Sequence, residues 1–247
     1  MLVKKEWFIE WFDSPYYHVL YSNRDDHEAH FFINNLCTYL KLNPEKHSIT
    51  DLACGKGRHS IFLNSLGYQV TGIDLSKHSI EIAKKSENDR LTFEVQDLRD
   101  LKSNRLYDVA LNLFTSFGYF ASLDENSKVI NNIHQILSTG GVLIIDFMNS
   151  HKVVQNLIEH DSKTINGIRF HITKWMENNF IHKKITVDDD DTTIEFTEKV
   201  QALELKDFEE ILHQNGFTIV QKFGDYSLNP FNVSDSDRLI LIAQKID

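Results

Sequence analysis

Five strand-like runs, at 48–52, 69–73, 91–95, 107–113 and 141–147, are interleaved with helix-period stretches at 58–66, 76–87 and 124–137. Strands alternating with helices cannot bury both sheet faces as a sandwich. They predict βαβ units, right-handed crossovers and an α/β parallel sheet covered on both sides. At 247 residues the chain has room for that sheet and one insertion, so a single domain is expected over 1–247. Residues 1–45 precede the first run and read as helical. Trp7, Phe8, Trp11 and Phe12 share one face, and Ser14-Pro15 breaks the period. Asp25 or Asp26 can cap a second helix with Phe31, Phe32, Leu36 and Leu40 inward, ended by Pro44. Residues 46–150 form the core of the alternation. Within 160–202 the period falls to two, with Asn178-Asn179 and the four aspartates from Asp188 as turns, which predicts a hairpin or a three-stranded antiparallel excursion. Residues 203–247 return to a helix at 206–215 and two final strands, 217–223 and 238–245.

The first run ends in Asp51-Leu52-Ala53-Cys54, followed by Gly55, Gly57 and a helix. Glycines at a strand-to-helix turn let backbone approach a ligand closely, and the helix start offers unpaired N–H groups. A dinucleotide fingerprint needs a third glycine where Ser60 stands, so a nicotinamide oxidoreductase is the weaker reading. The second run ends in Gly-Ile-Asp at Asp74, and the third is followed by Gln96-Asp97-Leu98. Acids recurring at the carboxyl ends of adjacent parallel strands fall where open α/β sheets bind ligands. A carboxylate such as Asp74 can accept both hydroxyls of a ribose, or cap the helix beginning at Ser76.

With Asp51–Gly57, Gly-Ile-Asp at Asp74 and Val-Gln-Asp-Leu at Asp97, the sequence resembles the class I S-adenosylmethionine-dependent methyltransferases. The resemblance covers about 45–147 and extends to the last two strands. It implies a seven-stranded, mostly parallel, doubly wound sheet in the order 3-2-1-4-5-7-6, with strand 7 antiparallel. It also implies S-adenosylmethionine as cofactor and S-adenosylhomocysteine as product. By position, Ala53, Cys54, Gly55 and Gly57 would pass beside the methionine part. Asp74 and Leu75 would hold the ribose, Gln96, Asp97 and Leu98 the adenine, and Leu113 and Phe114 would lie near the sulfonium. The stretch Tyr17–Ala29 is similar to the N-terminal lid of small-molecule N-methyltransferases of the amino-sugar and glycine type. Tyr17 matches the lid tyrosine, with Tyr21 and Arg24 as weaker matches. Tyr119, after the fourth strand, falls where sugar-directed relatives often carry His, and is expected to line the acceptor pocket with Ser116 and Gly118.

Methyl transfer from a sulfonium is an in-line displacement in which the protein supplies alignment and water exclusion. Tyr17 and Tyr119 are the candidate catalytic residues. Tyrosine is a poor base near pH 7, so His18 and His59 are weighed as bases beside Tyr119. The expected acceptor is a small molecule methylated on N, or on O. An RNA or protein acceptor, and a non-catalytic S-adenosylmethionine-binding protein, are the alternatives. Net charge of −10 counts against DNA. The 12 histidines and two cysteines show no metal spacing, so no metal is expected. No apolar run reaches 18 residues, and charges interrupt the N-terminus, so neither a membrane partner nor a signal segment is expected. A cytoplasmic monomer or homodimer is the expectation.

Overall fold

Residues 6–22, 26–190 and 192–246, described by a computed structural model, hold two sheets. The larger has seven strands: β1 (Ser48–Leu52), β2 (Gln69–Asp74), β3 (Leu91–Val95), β4 (Tyr107–Asn112), β5 (Leu137–Met148), β10 (Phe217–Phe223) and β11 (Arg238–Lys245). Their order is β3-β2-β1-β4-β5-β11-β10. β11 runs antiparallel to both β5 and β10, and β1 to β5 pair in parallel. With the insertion strands set aside, this is the expected order with its antiparallel seventh strand.

Alternation along the strands sends side chains into two layers. Leu143, Ile145 and Phe147 of β5 enter one core with α6 (Leu123–Ile136) and α8 (Leu205–Gln214). Ile144, with Ile49, Val70 and Val109, enters the other with α3 (Asp26–Tyr39), α4 (Arg58–Ser65) and α5 (Lys77–Ala83). Caps fix where the helices begin. Ser76 accepts from the Ser79 N–H at 2.9 Å, and Ser122 from the Glu125 N–H at 3.3 Å. α8 carries a reciprocal capping box between Glu204 and Asp207.

The excursion differs from the expectation. It is a four-stranded antiparallel sheet: β6 (His160–Ile165), β7 (Ile168–Glu177), β8 (Phe180–Asp189) and β9 (Thr192–Gln201). β6 is exposed along nearly its whole length, so it has no buried face to imprint an alternation on the sequence. Asn178 and Asn179, both at positive φ, make the β7–β8 turn as expected. Asp188 and Asp189 are still strand, so the β8–β9 turn is shorter than the aspartate run. A helix not foreseen, α7 (Ser150–Gln155), leads from β5 to the insertion.

Before β1 lie α1 (Trp7–Phe12), α2 (Pro15–Leu20) and α3. Ser14 caps α2, accepting from the Tyr16 N–H at 3.2 Å, with Pro15 at its first position. Phe32, Ile33 and Leu36 are buried in α3, but Phe31 is 49% exposed and does not face inward. Trp11 and Leu20 pack with Phe170, Ile172, Ile185 and Val187 in a third core. α1 and α2 thus dock on the insertion sheet, while α3 packs on the large sheet, and α1, α2 and the insertion together border the strand ends.

Candidate active site

One cavity of about 790 Å³ lies at those strand ends. Its floor comes from the turn after β1, where Ala53, Gly55 and Gly57 all have positive φ. A Cβ on Gly55 would meet nothing within 4 Å, so its backbone lies open to a ligand. Gly57 has a different reason to be glycine. A Cβ there would stand 2.6 Å from the Phe93 ring, so it joins helix to sheet, not loop to ligand. Asp74 accepts from the Gly55 N–H at 2.8 Å and from the Ser76 N–H at 2.7 Å. Its burial pushes its pKa up against those two bonds. Ser76 also bonds Asp13, at the end of α1, which brings α1 to the turn after β2. Asp51 is buried, and Ser60 Oγ donates to it at 2.6 Å. Burial, only partly offset by that bond, pushes Asp51 up to about 7.

The cavity's aromatic wall joins the lid to the loop after β4. Tyr17 lies within 5.0–5.5 Å, ring to ring, of Trp11, Phe12, His18 and Tyr21. Tyr119 packs against Trp7 at 5.3 Å and Phe12 at 5.5 Å. Its hydroxyl donates to the Thr115 carbonyl at 2.5 Å. Phe114 and Thr115 have φ of 57° and 61°, a conformation costly for residues with side chains. Asp146, fully buried on β5, holds them there. Its Oδ2 accepts from the Phe114 N–H at 2.8 Å, and its carbonyl from the Thr115 N–H at 2.9 Å. Arg238 of β11 donates to Asp146 Oδ1 and, at 3.1 Å, to Thr115 Oγ1, while Tyr226 donates to Oδ2. Sequence reasoning passed over Asp146, although a lone carboxylate in the apolar run Ile144-Ile145-Asp146-Phe147 signals a required partner.

Opposite, β7, β8 and β9 contribute Lys174, Ile181, Lys183, Glu198 and Val200. Glu198 accepts from Trp11 Nε1 at 2.6 Å and from the Tyr21 hydroxyl at 2.7 Å, and pairs with Lys183 at 3.3 Å. Lys183 in turn donates to the Tyr21 hydroxyl. These residues were not singled out from sequence, because the partners lie up to 187 positions apart.

Of the residues expected to hold a cofactor, Tyr17, Ala53, Cys54, Gly55, Asp74, Leu113 and Phe114 line the cavity, and Tyr119 and Ser116 do as well. Gly57, Leu75, Gln96, Asp97 and Leu98 do not, and neither does Gly118, which packs toward Gln201 and Leu203. The Gln96 amide instead clasps Lys102, donating to its carbonyl at 3.1 Å and accepting from its N–H at 3.0 Å. The Asp97 carboxylate is bound by Arg99 at 2.6 Å, and Arg99 reaches both oxygens of Glu6 at 2.7 Å. Burial would raise Asp97, but the Arg99 bonds and charge bring it below its usual value. Among the candidate bases, His59 is buried against Phe114 at 5.0 Å, and burial followed by the Arg58 charge pushes it down to about 3. Burial thus disfavours its protonated form, although the ring lines the cavity. His18 is lowered by burial, then by Lys56 and His78, against Asp13, and its buried Nε2 has no hydrogen-bond partner. Arg24 and Asp25 lie outside the described residues. Among the described residues there is no cluster of three metal-ligating side chains, and no helix is long and apolar enough to cross a membrane.

A sheet in this order, with a glycine turn and an acid at the ends of β1 and β2, defines a class of nucleotide-cofactor α/β proteins. The comparison with known sequences narrows it: residues 44–216 match the methyltransferase domain, and the chain belongs to that family. A Bacillus subtilis (strain 168) protein named as a methyltransferase, YqeM, is 32% identical over 115 residues, which is 45% of this chain and 47% of that protein. The dTDP-3-amino-3,4,6-trideoxy-alpha-D-glucopyranose N,N-dimethyltransferase of Streptomyces venezuelae is 28% identical over 103 residues, 42% of this chain and 43% of that protein. The chain thus matches less than half the length of these curated relatives. A solved S-adenosylmethionine-dependent methyltransferase from Clostridium acetobutylicum shares the fold over 94% of this chain and 96% of its own, with TM-score 0.80 at 21% identity.

Proposed function

We propose that this chain methylates an amine of a small-molecule acceptor with S-adenosylmethionine. The observation that carries this is the single cavity that joins the glycine turn and Asp74 to a separate wall built by the lid and the insertion sheet. One half suits a nucleoside cofactor, and the other leaves room for a second molecule. Relatives named for amino-sugar N,N-dimethylation and the family match support the choice of chemistry.

The residues present fit the cofactor. The open Gly55 backbone, with Ala53 and Cys54, suits its amino-acid end. A carboxylate can accept about four hydrogen bonds, and Asp74 takes backbone N–H groups from Gly55, Ser76 and Leu75, leaving capacity for a ribose hydroxyl. Tyr17, Leu113 and Phe114 surround the region between the halves, where aromatic faces favour positive charge. When bound, the cofactor supplies a methyl group already activated on positively charged sulfur. The chain then has to hold the acceptor amine in line, keep water out and leave the amine neutral. Tyr17 and Tyr119 are the residues we assign to orienting the amine.

The test is binding and turnover together. Calorimetry should show that S-adenosylhomocysteine binds while NAD does not, and a panel of amino sugars and amino acids should include an acceptor of labelled methyl. Binding of NAD in place of S-adenosylhomocysteine would return the chain to the oxidoreductase reading. Tight S-adenosylhomocysteine binding with methylation only of bulk RNA or protein would replace the small acceptor.

A further inference from the structure

The inner face of the insertion sheet is apolar where it packs against the lid and charged where it meets the cavity. On β7 that face runs Phe170, Ile172, Lys174, and on β9 Phe196, Glu198, Val200. Lys174 stands directly across from Lys183, and Lys183 directly across from Glu198. The next pair, Trp175 and His182, stacks at 5.0 Å on the opposite face, so Lys174 and Lys183 share the cavity side. Like charges directly opposite on neighbouring strands destabilise a sheet. Glu198 compensates Lys183 at 3.3 Å. Lys152, another lysine lining the cavity, is compensated by Asp237 at 2.7 Å. Lys174, half-buried, has no carboxylate within 4.0 Å among the described residues, in a chain whose net charge is −10. A protein with acids to spare has thus placed a cation beside another cation and left it unmatched, facing a cavity.

We propose that Lys174, with Lys183 beside it, binds an anionic oxygen group of the acceptor, a carboxylate or a phosphate, at the end of the cavity away from the glycine turn. This rests on the methyltransferase reading and names the class of acceptor: an amine that also carries such a group. The anion would relieve the repulsion between the two lysines, and a charge-assisted bond from Lys174 would fix the far end of the acceptor while its amine faces the aromatic wall. Lys56, the other cavity lysine without an ion pair among the described residues, lies on the glycine turn and is left for the amino-acid carboxylate of the cofactor.

The experiment compares the wild-type protein with Lys174→Met, and with Lys174→Gln as a second variant, each saturated with S-adenosylhomocysteine. Inorganic phosphate and acetate are titrated separately as probes, by calorimetry and by melting. The expected result is that one or both anions bind wild type, that both variants lose at least about tenfold in affinity for the better probe, and that S-adenosylhomocysteine affinity stays within about twofold. Which probe binds better decides between phosphate and carboxylate. Without any anion, the variants should melt about 1–3 °C higher than wild type, because the like-charge pair is gone. Equal anion affinity in wild type and both variants, or no binding of either anion to wild type, overturns the proposal, as does a lower melting temperature for both variants. Failure of S-adenosylhomocysteine to bind is a separate result. It sinks the cofactor reading, while the anion comparison is still read on the free protein.

Discussion

The two halves of the cavity are built differently. In the half after β1 and β2 the functional groups are local. Asp74 is held by N–H groups from its own turn and from the adjacent strand's turn, and the open Gly55 lies in that adjacent turn. In the other half side chains from other elements do the holding: Glu198 is held by Trp11, Tyr21 and Lys183, and the Phe114–Thr115 turn by Asp146 and Arg238. A backbone-held site changes little with surface sequence. A site held by side chains can be rewritten by a few substitutions, which suits the half that must recognise different acceptors.

The contrast is sharpest for stability. Asp146→Ala leaves Arg238 buried without its carboxylate and the Phe114–Thr115 turn without its anchor. Breaking a buried pair costs about 3–5 kcal/mol, so the variant should lose much of its stability in urea. Gly57→Ala adds a carbon 2.6 Å from Phe93 at a φ of 82°. Left-handed strain and overpacking together should cost roughly 2–4 kcal/mol. The loss should appear in melting even without ligand. A Gly57→Ala protein as stable as wild type but unable to bind S-adenosylhomocysteine would return Gly57 to the ligand surface.

Asp74→Ala moves binding more than folding. Removing a charged acceptor from two hydroxyls should weaken S-adenosylhomocysteine by about 1–3 kcal/mol. Unchanged affinity by calorimetry would break the assignment of the first half to the cofactor. Asp51 gives a pH signature. Its folded pKa, near 7, lies above the carboxylate value of the unfolded chain, so its contribution is fully present at low pH and is lost as pH rises through 7. Between pH 6 and 8 the wild type should lose about 1 kcal/mol that Asp51→Asn keeps. Parallel stability curves for the two proteins would show that Asp51 is already ionised when folded.

Legibility in the sequence follows the same division. β1, β3, β10 and β11 have the boundaries that their runs predict; β1 and β11 are buried almost throughout, whereas β3 and β10 are only partly buried. The acids at the strand ends were legible because the parallel sheet repeats one geometry at each carboxyl edge. β6 was not, since it buries nothing. α7 was not, since only Ser150 of its six residues is buried. The direction of Phe31 failed because adjacent Phe31 and Phe32 both satisfy a helical face, and only packing against the sheet selects Phe32. Gln96 and Asp97 were placed correctly along the chain, but their side chains are taken by Lys102 and Arg99, which strand-end logic cannot foresee. The ladder Lys174, Lys183, Glu198 required knowing the register of two hairpins.

Tyr119 joins the halves and gives the smallest expected effect. Its ring packs on Trp7 and Phe12 of the lid, while its hydroxyl bonds the carbonyl of Thr115, the residue whose strained backbone is held by Asp146. Tyr119→Phe keeps the ring contacts and removes the bond to Thr115. If the hydroxyl orients the acceptor amine, kcat/KM should fall by about 1 kcal/mol of transition-state stabilisation, with an unchanged pH profile and unchanged S-adenosylhomocysteine affinity. A base would behave otherwise, with a loss of about 10²–10⁴-fold and an altered limb of the pH profile. The geometry favours the smaller effect, because a hydroxyl that already donates to a backbone carbonyl is a positioned donor, not a group poised to accept a proton. A third outcome, weaker S-adenosylhomocysteine binding with normal acceptor KM, would mean that Tyr119 serves the cofactor half, and the boundary between the two halves would have to be moved past the loop that follows β4.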